Sequence, residues 1–124
     1  MTPFDKPVLF LATEDAERSR EFYERVLGMA CVADEPYALV FRVGDSMLRI
    51  QKVERVARAS YTVLGWAVGD IRSTVAALSK AGVAFRRYEG LDQDEIGVWH
   101  SPSGALVAWF EDPDGNTLSL TQFR

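Results

Sequence analysis

The side chains in this sequence that could do chemistry are few and scattered. There is one histidine, His100, and one cysteine, Cys31. Paired with a carboxylate such as Glu111, the imidazole could serve as acid or base if the two came within hydrogen-bond reach. They lie on different stretches of chain and no spacing joins them, so no catalytic residue is assigned. A lone histidine is more often a surface or pocket polar group than a metal ligand. Cys31 has no second cysteine for an intramolecular disulfide, which fits a reducing compartment. Its simplest role is that of a small buried hydrophobe.

Charge and composition narrow the classes further. The chain has 124 residues, enough for one domain with its own core, and its hydrophobic and charged contents (48% and 26%) are those of an ordinary soluble globular protein. A net charge of -4 argues against a nucleic-acid surface, because phosphate binding needs clustered Lys and Arg. The basic residues instead alternate with acids, as in Glu17-Arg18 and Glu24-Arg25, the pattern of a solvated helix face. Met1-Thr2-Pro3-Phe4-Asp5-Lys6 lacks the basic-then-apolar run of a signal peptide, and no apolar stretch approaches a membrane span. A cytoplasmic protein with neither nucleic-acid nor membrane partner is expected.

The elements that must position these residues come in two similar sets. Val8-Leu9-Phe10-Leu11-Ala12-Thr13-Glu14-Asp15 overlays Val63-Leu64-Gly65-Trp66-Ala67-Val68-Gly69-Asp70, each a short apolar strand ending in an acid suited to cap a helix. Ala16, Ser19, Phe22, Tyr23, Val26 and Leu27 then recur at spacings of three and four, as do Ile71, Thr74, Val75, Leu78 and Ala81. Gly28 and Gly82 stand where such helices stop. Phe22 and Tyr23 are read as helix-to-sheet packing.

Strands are predicted over residues 29–34, 37–43 and 47–53, with a tight turn at Gly44-Asp45-Ser46. After the second helix they are predicted over 83–88, 105–111 and 117–122, the last pair joined by Asp112-Pro113-Asp114-Gly115-Asn116. Residues 54–60 read as a linker between a first unit over 7–53 and a second over 61–123. Residues 89–104 read as a loop with one short strand near Val98-Trp99-His100. The expected architecture is α+β: two βαβββ units forming a curved mixed sheet with helices outside.

Three motifs set in this repeat resemble the glyoxalase/bleomycin resistance protein/dioxygenase superfamily, the vicinal oxygen chelate fold. They are the first helix ending in Phe22-Tyr23-Glu24-Arg25-Val26-Leu27-Gly28, the strand leading to Asp70, and Trp109-Phe110-Glu111-Asp112-Pro113-Asp114-Gly115-Asn116. The resemblance runs from Pro7 to Phe123. It implies either an enzyme (a lyase, isomerase or dioxygenase using a divalent metal) or a metal-free protein that sequesters a drug-like molecule, and often a homodimer. In the metalloenzymes it resembles, the four ligand positions correspond to Val8, Arg49, Val63 and Ser119. Two valines and a guanidinium cannot hold a metal. No metal and no other cofactor is expected.

If those four positions face the ligand, strand alternation brings Phe10, Ala12, Gln51, Gly65 and Thr121 to the same side. The opposite set, including Leu9, Leu11, Leu48, Ile50, Leu118 and Leu120, is far more apolar and suits the helix side. Arg42, Trp109 and Glu111 follow by alternation on the remaining strands. The expected site is Phe10 and Trp109 for stacking, with Arg42, Arg49, Gln51, Glu111 and Ser119 for polar contacts. Trp99 and His100 close the rim, and Ala12, Ala38 and Gly65 leave room. Glu111 would suit a cationic ligand, whereas Arg42 and Arg49 would favour an anion. The plainer alternative is that these three charges pair with each other across the sheet. Metal-independent binding of a small organic molecule is the preferred reading; an enzyme of the superfamily is the alternative.

Overall fold

Alternating apolar side chains build two four-stranded sheets, each with a helix carried between its first and second strands. The computed structural model describes residues 3–124. The N-terminal expectation begins at Met1 and Thr2, which lie outside the described residues. The chain divides into two compact units, one ending at Arg58 and the other beginning at Ala59. The boundary falls within the polar stretch 54–60.

The first unit contains β1 (Val8–Thr13), α1 (Ala16–Glu21), β2 (Ala30–Asp34), β3 (Ala38–Val43) and β4 (Ser46–Lys52) in the sheet order β1-β4-β3-β2. β1 runs parallel to β4, with Phe10 opposite Arg49 and Ala12 opposite Gln51; the other pairs are antiparallel. Leu11, Leu48, Ile50, Leu39 and Phe41 are buried on one face, as alternation requires, while Phe10 on the other is 53% exposed. Asp15 caps α1 by accepting from the Arg18 N–H at 3.2 Å.

The helix does not stay α-helical to its end. It continues as a π-helical turn over Phe22–Val26, with the Leu27 N–H reaching the Phe22 carbonyl at 3.0 Å. Tyr23 is fully buried there, edge-on to Phe22 and 5.8 Å from the ring of Phe41, which is the expected packing role. Gly28 ends the turn at a φ of 73°, in the left-handed region that glycine enters without steric cost. Cys31 is half-buried on β2, less enclosed than a core residue.

The second unit contains β5 (Leu64–Ala67), α2 (Ile71–Lys80), β6 (Trp99–His100), β7 (Leu106–Glu111) and β8 (Thr117–Gln122) in the order β5-β8-β7-β6. β5 is parallel to β8, with Gly65 opposite Ser119. Asp70 caps α2, whose Ile71 and Val75 are buried. Val98, Ala108, Phe110 and Leu118 complete the core on that side of the sheet.

One expected strand is absent. Residues 83–88 form no strand; the stretch is tied to β7 by a bond from the Arg86 N–H to the Trp109 carbonyl at 2.8 Å. The Gln93 side chain takes up the other backbone groups, accepting from the Tyr88 N–H at 2.7 Å and donating to the carbonyls of Arg86 and Gly97 at 3.0 and 2.8 Å. A side chain from the loop thus satisfies donors and acceptors that a neighbouring strand would otherwise need. β6 takes the fourth place in the sheet.

Candidate functional site

Each sheet has one face away from its helix, and the expected site residues other than His100 fall on these two faces. In the first unit Phe10 and Arg49 are neighbours on one rung, with Val40 beyond Arg49; Gln51 is one rung along, between Ala12 and Ala38. Arg42 lies at the end of the sheet, exposed, in a cleft also lined by Lys6 and Asp45. Arg49 does not point an unpaired charge at this face. Its Nη2 is 2.7 Å from Glu35 Oε1, in the turn between β2 and β3.

In the second unit the equivalent rung is Gly65–Ser119–Trp109. Trp109 is held from several directions. Its indole Nε1 donates to Thr62 Oγ1 at 3.1 Å, Tyr88 meets it edge-on with centroids 5.3 Å apart, and Trp99 lies tilted at 6.0 Å. Trp99 pairs with Val107, so alternation puts it on the face of Trp109. Glu111, one rung along opposite Thr117, is bridged by the Arg86 guanidinium. The three rings are half-buried, leaving part of their apolar surface accessible; beside them Thr117 and Ser119 are buried and Thr121 is half-buried.

Some expectations are corrected here. His100 follows Trp99 on β6 and pairs with Leu106, so it turns to the other face. There its Nε2 is 3.4 Å from Arg72 Nη2 on α2, and it cannot close the same rim as Trp99. Glu111 and His100 are therefore on opposite sides of the sheet, which removes the acid–base pairing. Gly65 does not leave room for a ligand either: Ser119 Oγ occupies the space that its Cβ would fill. Ala38 is buried. Arg49 and Glu111 are ion-paired, but with Glu35 and Arg86, not with each other.

Arg72 belongs to a separate network. Its Nη1 donates to Asp94 Oδ2 at 2.6 Å, and Asp94 Oδ1 accepts from the Ile96 and Val98 N–H groups at 3.1 and 2.9 Å. Partial burial opposes ionisation of Asp94, but these donors outweigh it and hold the carboxyl below its ordinary value. The network ties the 94–98 turn to α2 and serves structure.

Tyr88, Thr62, Arg86 and Glu35 were missed from the sequence. Arg86 and Tyr88 fall on the predicted 83–88 strand with no sign of their partners, and Thr62 and Glu35 lie outside any strand pattern. A cleft of about 400 Å³ on the polar side of α1 is lined by Arg20, Glu24, Asp34 and other polar residues. It has no aromatic wall, so the Trp109 face is the better candidate for recognising an organic molecule.

The metal positions implied by the sequence resemblance can be tested against these surroundings. Val8 and Val63 offer only methyl groups, Arg49 offers a cation already bound to Glu35, and Ser119 offers one hydroxyl packed against Gly65. This donor set does not fit a divalent ion, which needs converging imidazole, thiolate or carboxylate groups. Among the described residues no group of three or more His, Cys, Asp or Glu side chains converges.

Two βαβββ units with an open sheet face apiece define the vicinal oxygen chelate architecture. The family model of the Glyoxalase/Bleomycin resistance protein/Dioxygenase superfamily matches residues 7–120, and the chain belongs to that superfamily. A bleomycin resistance determinant encoded on the transposon Tn5 is similar over 98% of this chain and 99% of its own, at 21% identity and a TM-score of 0.76. A bleomycin-binding protein complexed with bleomycin is similar over 98% of this chain and 100% of its own, at 21% identity and 0.74. A lactoylglutathione lyase from Agrobacterium tumefaciens is similar over 98% of this chain and 96% of its own, at 16% identity and 0.76. No curated protein matches by sequence. Among the described residues no helix is long and apolar enough to cross a membrane.

Proposed function

We propose that this protein is a metal-independent binder of a small organic molecule, of the sequestering kind, with the Trp109 face as its main recognition surface. The aromatic cluster carries this reading. Trp109 is fixed by Thr62, Tyr88 and Trp99, so its indole is preorganised and little rotamer entropy is lost when a ring packs on it. Thr121 on β8, half-buried, supplies a neutral hydrogen-bonding group on the same surface. Likeness in fold to bleomycin-binding proteins agrees with this class. The proposal includes one domain per chain, a cytoplasmic location and a homodimer, the last supported by the exposed apolar residues Val8, Phe10 and Met47 on adjoining strands.

Calorimetric titration of the purified protein with bleomycin and with simpler planar aromatic compounds, alongside elemental analysis for metals, tests the function. We expect saturable binding by at least one such compound, a raised melting temperature at saturation, and loss of about 2 kcal/mol of binding energy in Trp109→Ala. A stoichiometric divalent metal that disappears when Gln51 or Glu111 is replaced would overturn the reading in favour of a metalloenzyme.

A further inference from the structure

The charges beside the aromatic cluster bear on what it binds. Resting on the functional reading above, we propose that the Trp109 face selects an uncharged planar aromatic ligand and discriminates against ions of either sign, with the Arg86–Glu111 pair as the specificity device. Of the side chains that β5, β6, β7 and β8 turn to this face, Glu111 alone is ionised. The guanidinium of Arg86 bridges it. That guanidinium is placed by the main chain, because the Arg86 N–H is bonded to the carbonyl of Trp109 itself. The ion pair is thus built onto the residue that supplies the stacking surface.

A bridged carboxylate presents the weak, short-ranged field of an ion pair instead of that of a free charge. A cationic ring over Trp109 gains only the weak cation–π contact of a partly exposed site. A second cation can reach only the other Glu111 oxygen, and there the neighbouring Arg86 guanidinium already offsets the carboxylate and repels it. An anionic ring meets the Glu111 carboxylate and the negative faces of three aromatic rings, with no unpaired donor cation on the surface. A neutral ring gains the apolar and edge-to-face contacts without desolvating a charge. Its polar substituents find the half-buried Thr121 hydroxyl on the adjoining strand.

Three probes of one shape test the proposal: naphthylmethanol, naphthylmethylammonium and naphthoate, titrated while tryptophan fluorescence is followed. In the native protein naphthylmethanol should bind at least about fivefold tighter than either ion, with little dependence on salt. In Arg86→Gln the freed Glu111 should raise the affinity for the ammonium probe relative to the alcohol by about tenfold, and should make it salt-sensitive. Adding Glu111→Gln should remove that gain. Binding that favours an ion in the native protein, or an unchanged ratio in Arg86→Gln, overturns the charge-selection proposal and leaves aromatic binding standing. If none of the probes binds, both proposals fall.

Discussion

Rung for rung, the two sheets put their bulk at opposite ends. In the first unit Phe10 on β1 stands beside Arg49 and then the small Val40; in the second, Gly65 on β5 stands beside Ser119 and then Trp109. The same register therefore serves an exposed phenylalanine at a sheet edge in one case and a braced tryptophan on an inner strand in the other. Hairpins differ in the same sense. The turn joining β3 and β4 is Gly44-Asp45, exposed and local, whereas the turn joining β7 and β8 is five residues long with Asp112, Asp114 and Asn116 buried. Repetition of a fold does not repeat its energetics: the second unit invests its polar groups in fixing the strand that carries Trp109.

The turns give the largest test of that contrast. Asp112 Oδ1 accepts from the Asp114 and Asn116 N–H groups, both at 2.9 Å, and Oδ2 accepts from Asn116 Nδ2 at 2.8 Å. Asp112→Ala leaves buried donors unpaired and should cost about 3 kcal/mol of stability in urea denaturation. Asp45→Ala, at the corresponding exposed turn, should change stability by less than about 0.5 kcal/mol. Equal losses would erase the distinction.

A smaller effect is expected at the rung itself. A methyl on Gly65 would overlap Ser119 Oγ and stand 3.3 Å from the Ser119 backbone oxygen. Gly65→Ala should therefore destabilise by about 1–2 kcal/mol, and Gly65→Ala with Ser119→Ala should recover about half of that loss. Simple additivity of the two changes would mean that the glycine is not there to make room for the serine.

What could be read from the sequence follows the same division between local and distant causes. Leu48 and Ile50 alternate with the exposed or polar Met47, Arg49 and Gln51, and Leu9 and Leu11 flank the exposed Phe10, so the register of β1 and β4 is legible, as are the helix caps at Asp15 and Asp70. The stretch 83–88 has the composition of a strand, but the Gln93 amide, reaching back from a loop, takes the Tyr88 N–H and the Arg86 carbonyl in place of ladder partners. Likewise Glu111 and Arg49 look like free anchors in the sequence: Glu35 lies between the predicted strands, and Arg86 lies on the 83–88 stretch, whose placement beside β7 no local pattern reveals.

One missed feature was legible. Asp94-Glu95-Ile96-Gly97-Val98 has the spacing of Asp112-Pro113-Asp114-Gly115-Asn116, and the two turns share a bonding scheme. In each, Oδ1 takes the N–H groups two and four residues on, and glycine has positive φ at the fourth place, 92° for Gly97 and 84° for Gly115.

The helices extend the comparison to its finest scale. Ser19 and Thr74 each sit four residues after the capping aspartate. Thr74 Oγ1 donates to the Asp70 carbonyl at 2.8 Å, but Ser19 Oγ is buried without a hydrogen-bond partner, one turn before the helix loosens into its π-helical segment. A buried hydroxyl without a partner is a net cost, and alanine is the better helix former. Ser19→Ala should accordingly raise stability by about 1 kcal/mol, seen as a higher melting temperature in calorimetry. Thr74→Ala should move it by less than about 0.5 kcal/mol, because the lost back-bond and the gained helix propensity nearly cancel. A gain of the same size at both positions would assign the effect to helix propensity alone, leaving no penalty to the orphan hydroxyl of the first unit.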